Sequence, residues 1–223
     1  REAGLSEEEI AGLLARRVTV LSEAIRRSYP AFLRGRMTVM PNPVTPASLA
    51  ARPDADGVKT ILTVGRLDPQ KDQETLIAAF ARLASRYPQW RLRIIGQGLL
   101  REILQAQIDD SKLESVARIE EEAADIEGAY RAAHIFAMPS LYESFGLATA
   151  EAMAHGLPVI GFADCPGTNE LVRAEREGLL VAGSDRVQAL AEGLARLMDD
   201  PARRVTLGQA GQERVKDFSP EVV

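Results

Sequence analysis

VKTILTVGRLDPQKDQETLIAAF, residues 58–80, holds two periods side by side. VKTILTVGRL reads as a buried strand, and from 73 to about 87 the positions Leu76, Ile77, Phe80 and Leu83 fall on one face of a helix. A strand that gives way to an amphipathic helix within a few residues is one unit of an alternating chain.

Read onward, the alternation continues. WRLRIIG is a strand, followed by an amphipathic helix from Leu99 to about Asp110. A short strand near Ala117–Ile119 precedes a helix around Ile126–Ala133, and HIFAMPS is a strand stopped by Pro139. Ser144 stands where a helix N-cap belongs, with Phe145, Leu147, Ala148, Ala152 and Met153 at helical spacing behind it and Gly156 as the C-terminal stop. PVIGF, a helix after Thr168, the strand GLLV and two C-terminal helices complete the series. Right-handed crossovers place each helix over a sheet face, so the expected fold class is α/β: a Rossmann-like, doubly wound parallel sheet over residues 58–218.

Read backward, the first forty residues differ in kind. EEEIAGLLARR is a short amphipathic helix, VTVLS a strand, EAIRRSYPAF a helix and MTVMPNPV a strand. Residues 1–43 are too few for a Rossmann domain and read as the remnant of a preceding α/β domain. Pro41, Pro43, Pro46 and Pro53 mark a linker over 44–57. At the other end FSPEVV starts a new helix at 219–223, and the chain begins at Arg1, so it reads as a fragment.

Composition narrows the function classes. With 46% hydrophobic and 26% charged residues the chain is an ordinary globular protein, and no apolar run approaches the ~18 residues that cross a bilayer. A net charge of -5 opposes broad nucleic-acid binding, which needs a basic face. The single cysteine, Cys165, allows no intrachain disulfide and fits a cytoplasmic setting. His134 and His155 make a poor metal set, so no metal site is expected. His134 and Cys165 read as a strand-edge histidine and a buried thiol.

Three loops at the carboxyl ends of the expected strands carry chemistry. GRLDPQKD offers Gly65 for close backbone approach, with Arg66 and Lys71 as two cations that match a diphosphate. The plainer alternative is that Arg66 pairs with a local carboxylate and Lys71 is a solvated helix-start residue. GQGLLRE places Gly96 and Gly98 before a helix, as a phosphate approach or simply as a tight turn; Arg101 replaces the third glycine of the dinucleotide fingerprint. In ESFGLATAE the amides of Phe145, Gly146 and Leu147 lie at a helix mouth that favours anions. Glu143 and Glu151 bracket it, and carboxylates accept hydrogen bonds from vicinal hydroxyl pairs. Their plainer roles are a charge on the helix dipole and a solvated helix face.

Taken together, NPV (42–44), VGRLDPQKD, IIGQG, AAHIFAMPS, ESFGLATAEAMAHGLPVIG, Glu170 and GLLV, in this order over nearly all of 42–218, resemble the C-terminal donor-binding domain of GT-B fold, group 1 (GT4) retaining glycosyltransferases. The resemblance implies that Arg66 and Lys71 hold the nucleotide diphosphate as it leaves, and that Glu143 lies near the transferred sugar. It implies that Ser144, Phe145, Gly146 and Leu147 contact sugar and phosphate, and that Glu151 binds the ribose. Gly96, Gly98, Ile119 and Glu120 would face the phosphate side and the base. FADCPGTNE departs from the usual glycine-pair loop and resembles the amylovoran- and exopolysaccharide-type subgroup, with Glu170 in place. RIEEEAADIEGAY is more acidic than the usual segment there.

The implied activity is retaining, metal-independent transfer of a hexosyl group from a nucleotide-diphospho-sugar, a UDP-sugar by preference, to a polysaccharide or lipid-linked glycan acceptor. The nucleotide sugar is the substrate and no cofactor is implied. On this reading Lys71→Ala lowers turnover ~100-fold with modest change in folding. A glycoside hydrolase would need its two carboxylates on opposite sides of one bond, which one local segment does not supply. The other class of reading is a nucleotide-sugar-binding module without activity of its own. EAIRRSYPAFLRGR, with four arginines beside aromatic residues, admits peripheral contact with the inner face of an anionic membrane or packing against a preceding domain.

Overall fold

The computed structural model describes residues 15–121 and 125–223. The helix expected over EEEIAGLLARR lies, up to residue 14, outside the described residues. In chain order the elements are β1 (Val18–Val20), α1 (Glu23–Ser28), α2 (Ala31–Arg34), β2 (Met37–Val39), β3 (Lys59–Val64), α3 (Gln73–Ala81), β4 (Trp90–Ile95), α4 (Arg101–Asp110) and β5 (Ala117–Glu120). There follow α5 (Ile126–Arg131), β6 (Ile135–Met138), α6 (Leu147–Ala154), β7 (Val159–Phe162), α7 (Thr168–Leu171), β8 (Gly178–Val181), α8 (Arg186–Asp199) and α9 (Pro201–Val215), with 3-10 turns at Pro69–Lys71 and Lys216–Phe218.

Strands β3 to β8 form one six-stranded parallel sheet in the order β5-β4-β3-β6-β7-β8. The central strands β6 and β7 are continuous apolar runs, buried at every position, because both faces are covered, whereas β4 and the edge strand β5 carry half-buried or exposed charges. On one face Trp90, Leu92 and Ile94 pack with Leu76, Phe80, Leu104, Leu190 and Leu194. On the other, Leu62, Phe136 and Met138 pack with Tyr130, Ala152 and Met153. Each large apolar side chain so buried contributes ~1.5–3 kcal/mol. This is a Rossmann-like α/β fold. The strand order reverses between β3 and β6, and a crevice opens at the carboxyl ends of strands on either side of such a reversal.

Residues 18–39 form a separate two-stranded parallel sheet, with Val18 opposite Met37 and a small core of Val20, Leu33 and Met37. It is tied to the larger unit by the Glu170 carboxylate, which accepts from the backbone N–H of Glu23 at 2.9 Å and of Ala24. The connecting segment is held to the larger unit by the Val44 N–H on the Phe218 carbonyl (2.8 Å) and Arg204 Nε on the Pro53 carbonyl (2.6 Å).

Local details differ from the sequence reading. Pro30 splits the single helix expected over 23–32, because it lacks an N–H to continue the ladder. Helix α3 ends at Ala81 rather than near 87. Ser144 does not cap α6: Gly146, at φ 87 and ψ 50, occupies the N-cap position. Residues 219–223 turn once, with the N–H groups of Val222 and Val223 on the Ser219 carbonyl. Among the described residues no helix is long and apolar enough to cross a membrane.

Candidate functional site

The loop after β3 is set by local hydrogen bonding. Asp68 caps the 3-10 turn Pro69–Lys71 by accepting from the Lys71 N–H, and Asp72 then takes a left-handed conformation (φ 50, ψ 39) to begin α3. This turn directs Lys71 back over Gly65, where an added Cβ would sit 3.5 Å from the lysine side chain. Lys71 Nζ donates to Glu143 Oε1 at 2.6 Å, joining the loops after β3 and β6 across the strand-order reversal.

Glu143 is buried, at 6% exposure. Its Oε1 also accepts from Ser140 Oγ at 2.6 Å, and its N–H donates to the Pro166 carbonyl at 3.0 Å. A buried carboxylate with a cation and a hydroxyl on one oxygen is a fixed acceptor, unlike a charge on a helix dipole. The pair also ties Lys71 to the fold, because Lys71→Ala would strand a buried charge on Glu143. Arg66 is different: its side chain is 72% exposed and its Nη2 rests 3.1 Å from Asp68 Oδ2, the plainer role the sequence allowed.

Glu151 projects from the second turn of α6. Its Oε2 accepts from the Tyr130 hydroxyl at 2.8 Å, and Tyr130 stacks on His155 with centroids 5.0 Å apart. Burial first, and then the Glu151 charge, push the Tyr130 pKa well above its ordinary value, so the hydroxyl remains a donor. Glu151 is thus oriented, contrary to a solvated helix-face role. The amides at the mouth of α6 are those of Leu147, Ala148 and Thr149, two residues later than the sequence suggested, because Gly146 is the cap.

These groups share one cleft of about 450 Å³, lined by Gly65, Arg66, Lys71, Glu143, Ser144, Phe145, Gly146, Leu147 and Glu151. Its wall also includes Leu21, Asn42, Gln70 and Tyr142, which the sequence reading did not single out. Gln70 Nε2 donates to the Tyr142 carbonyl at 2.7 Å, and Ser140 and Tyr130 support the two carboxylates from behind. Ser140 follows directly on a strand end and could have been suspected; Tyr130 lies on another helix and offers no local signal.

Four expected residues do not line this cleft. Gly96 and Gly98 serve backbone packing: an added Cβ would lie 1.8 Å from the Gly65 carbonyl oxygen and 2.2 Å from that of Leu67, respectively. They allow the loop after β4 to lie against the loop that carries Arg66. Ile119 is a core side chain at 9% exposure. Glu120 is held by Arg93 at 2.6 Å and Arg118 at 2.7 Å, and the Arg93 hydrogen bond holds its carboxyl below the usual range. Glu170 is also outside, engaged with α1.

A model of the family described as glycosyl transferases group 1 matches residues 47–214. Among curated proteins the chain is similar to an H. influenzae glycosyltransferase, at 28% identity over 82% of this chain and 51% of that protein. It is similar to a D-inositol 3-phosphate glycosyltransferase of Corynebacterium glutamicum, at 36% identity over 72% of this chain and 40% of that protein. The chain therefore spans about half or less of the length of these relatives. Among solved structures it superposes on an S. aureus TarM variant in complex with fondaparinux, alpha-GlcNAc-glycerol and UDP, with a TM-score of 0.85, 18% identity and coverage of 99% of this chain and 46% of that one.

Proposed function

Because the chain belongs to the group 1 glycosyl transferases, we propose that it is the donor-binding half of a GT4-type enzyme that moves a hexosyl group from a UDP-sugar to a glycan or lipid-linked acceptor, with retention and without a divalent metal. The carrying observation is the Lys71–Glu143 pair at the crevice between β3 and β6, with Arg66, the mouth of α6 and Glu151 on the same wall. The UDP named in the TarM complex supports the choice of nucleotide, and the FADCPGTNE loop supports the exopolysaccharide-type subgroup.

In this reading the diphosphate lies against Arg66, Lys71 and the first-turn amides of α6. An ammonium has three donors; one is on Glu143, which leaves two for phosphate oxygens. As the anomeric carbon parts from its phosphate oxygen, negative charge grows on the leaving diphosphate. Fixed donors placed there stabilise it without reorganising, and each such donor is worth ~3 kcal/mol. Glu143 faces the transferred sugar and Glu151, braced by Tyr130, accepts from the ribose hydroxyls.

The span of half a relative's length favours one further statement: the chain alone binds donor, and transfer requires the remainder of the protein. Titration calorimetry with UDP, UDP-sugars and GDP-sugars tests both. Saturable binding of the uridine series supports the reading, and no binding of any nucleotide sugar overturns it. Transfer by this chain alone would contradict the half-enzyme statement.

A further inference from the structure

Arg186, the first residue of α8, lies outside the cleft yet touches three of the loops that build it. Its Nη1 is 3.1 Å from Asp164 Oδ1, its Nη2 donates to the Pro139 carbonyl at 3.1 Å, and its Nε is 3.4 Å from Asp72 Oδ2. The guanidinium carbon lies over Phe162, 3.5 Å from the ring centroid, and the side chain is 24% exposed. Those contacts belong to the loops after β7, β6 and β3.

Each contact is adjacent to a group that sets the Lys71–Glu143 pair. Asp72 follows Lys71 directly and, in a left-handed conformation, joins the 3-10 turn that carries the lysine to the start of α3. Pro139 precedes Ser140, which donates to Glu143. Asp164 lies two residues before Pro166, whose carbonyl receives the Glu143 N–H. A planar fork with five donors can hold Asp164 and the Pro139 carbonyl in fixed directions, stay ion-paired with Asp72 and lie over a ring at once; an ammonium cannot.

We propose that Arg186 is a positioning residue, which fixes Lys71 against Glu143 by knotting the loops after β3, β6 and β7. The inference deepens the reading of the cleft as a diphosphate site and rests on it for the affinity arm of its test. An arginine that only stabilised the fold would lower the melting temperature without selective effect on Lys71.

Two measurements separate the cases. In the first, acetic anhydride labelling followed by mass spectrometry reads the reactivity of Lys71 in the parent and in Arg186→Gln, with exposed Lys112 as internal reference. Lys71 labelling rises several-fold in the variant while Lys112 is unchanged; equal Lys71 labelling overturns the proposal, whatever the cleft binds. In the second, UDP affinity is measured in a double-mutant cycle of Arg186→Gln and Lys71→Gln. Each single change weakens UDP ~10-fold and the double variant is no weaker than Lys71→Gln within ~3-fold, because the arginine acts through the lysine. Additive losses, or parent affinity in Arg186→Gln, overturn the proposal. If the parent itself fails to bind UDP, the functional reading falls and the labelling result still decides the role of Arg186. Arg186→Lys, which keeps the charge and loses the fork, carries both measurements if the glutamine variant does not fold.

Discussion

Lys71 and Glu143 are 72 residues apart in sequence and 2.6 Å apart in space, with side chains 15% and 7% exposed. The pair joins the two loops on either side of the strand-order reversal, so its integrity is both a folding and a binding matter.

Lys71→Ala therefore has two effects. It leaves Glu143 without its cation and lowers unfolding free energy by about 2 kcal/mol, less than a fully enclosed pair costs because the cleft admits water. It also weakens UDP binding ~10-fold or more. Urea denaturation and calorimetry on one preparation check both, and a variant with parent stability would contradict the buried-pair account.

Glu151 is read as a ribose ligand, so its effect should depend on the ribose. Glu151→Gln weakens UDP ~10-fold and leaves inorganic pyrophosphate binding within ~2-fold of the parent. Tyr130→Phe, which removes only the hydroxyl that braces Glu151, weakens UDP by ~2- to 5-fold. Equal losses for UDP and pyrophosphate would place Glu151 elsewhere.

Gly96→Ala tests the packing role given to the loop after β4. Its Cβ would meet the Gly65 carbonyl at 1.8 Å, so backbone must move, and the expected cost is about 3 kcal/mol in unfolding free energy. Parent-like stability would show that the two loops do not lie against each other.

His134 gives a pH signature. Burial first, then the charges of Arg204 and Lys59, lower its pKa from 6.5 to about 4, and its Nδ1 accepts from the Thr60 N–H at 3.2 Å. Between about pH 6.5 and 4 the unfolded chain binds a proton that the folded chain refuses, so stability falls as pH falls. The loss is roughly 2 kcal/mol by pH ~5. His134→Asn, which keeps an acceptor for Thr60, removes this slope in urea denaturation series from pH ~7 to ~5; an unchanged slope would assign it to other groups.

The alternation of apolar strands and amphipathic helices made the sheet legible, because full burial writes itself as continuous runs such as ILTV and IFAM. The cleft was legible where the chemistry is local, as in GRLDPQKD and ESFGLATAE. Contacts between distant segments were not. Glu170 on the amides of Glu23 and Ala24, Tyr130 under Glu151 and Arg186 across three loops depend on how the elements pack, and no spacing encodes them. The pairing of Glu120 was hidden for the same reason: its partner Arg93 lies on the neighbouring strand.

The most direct test is the preference for a diphosphate. Calorimetric titration with UDP and UMP should give UDP at least ~10-fold tighter binding, and Arg66→Ala with Lys71→Ala should abolish that difference while UMP affinity changes little. Equal affinities of the parent for UDP and UMP, or a preference that survives both substitutions, would contradict the account.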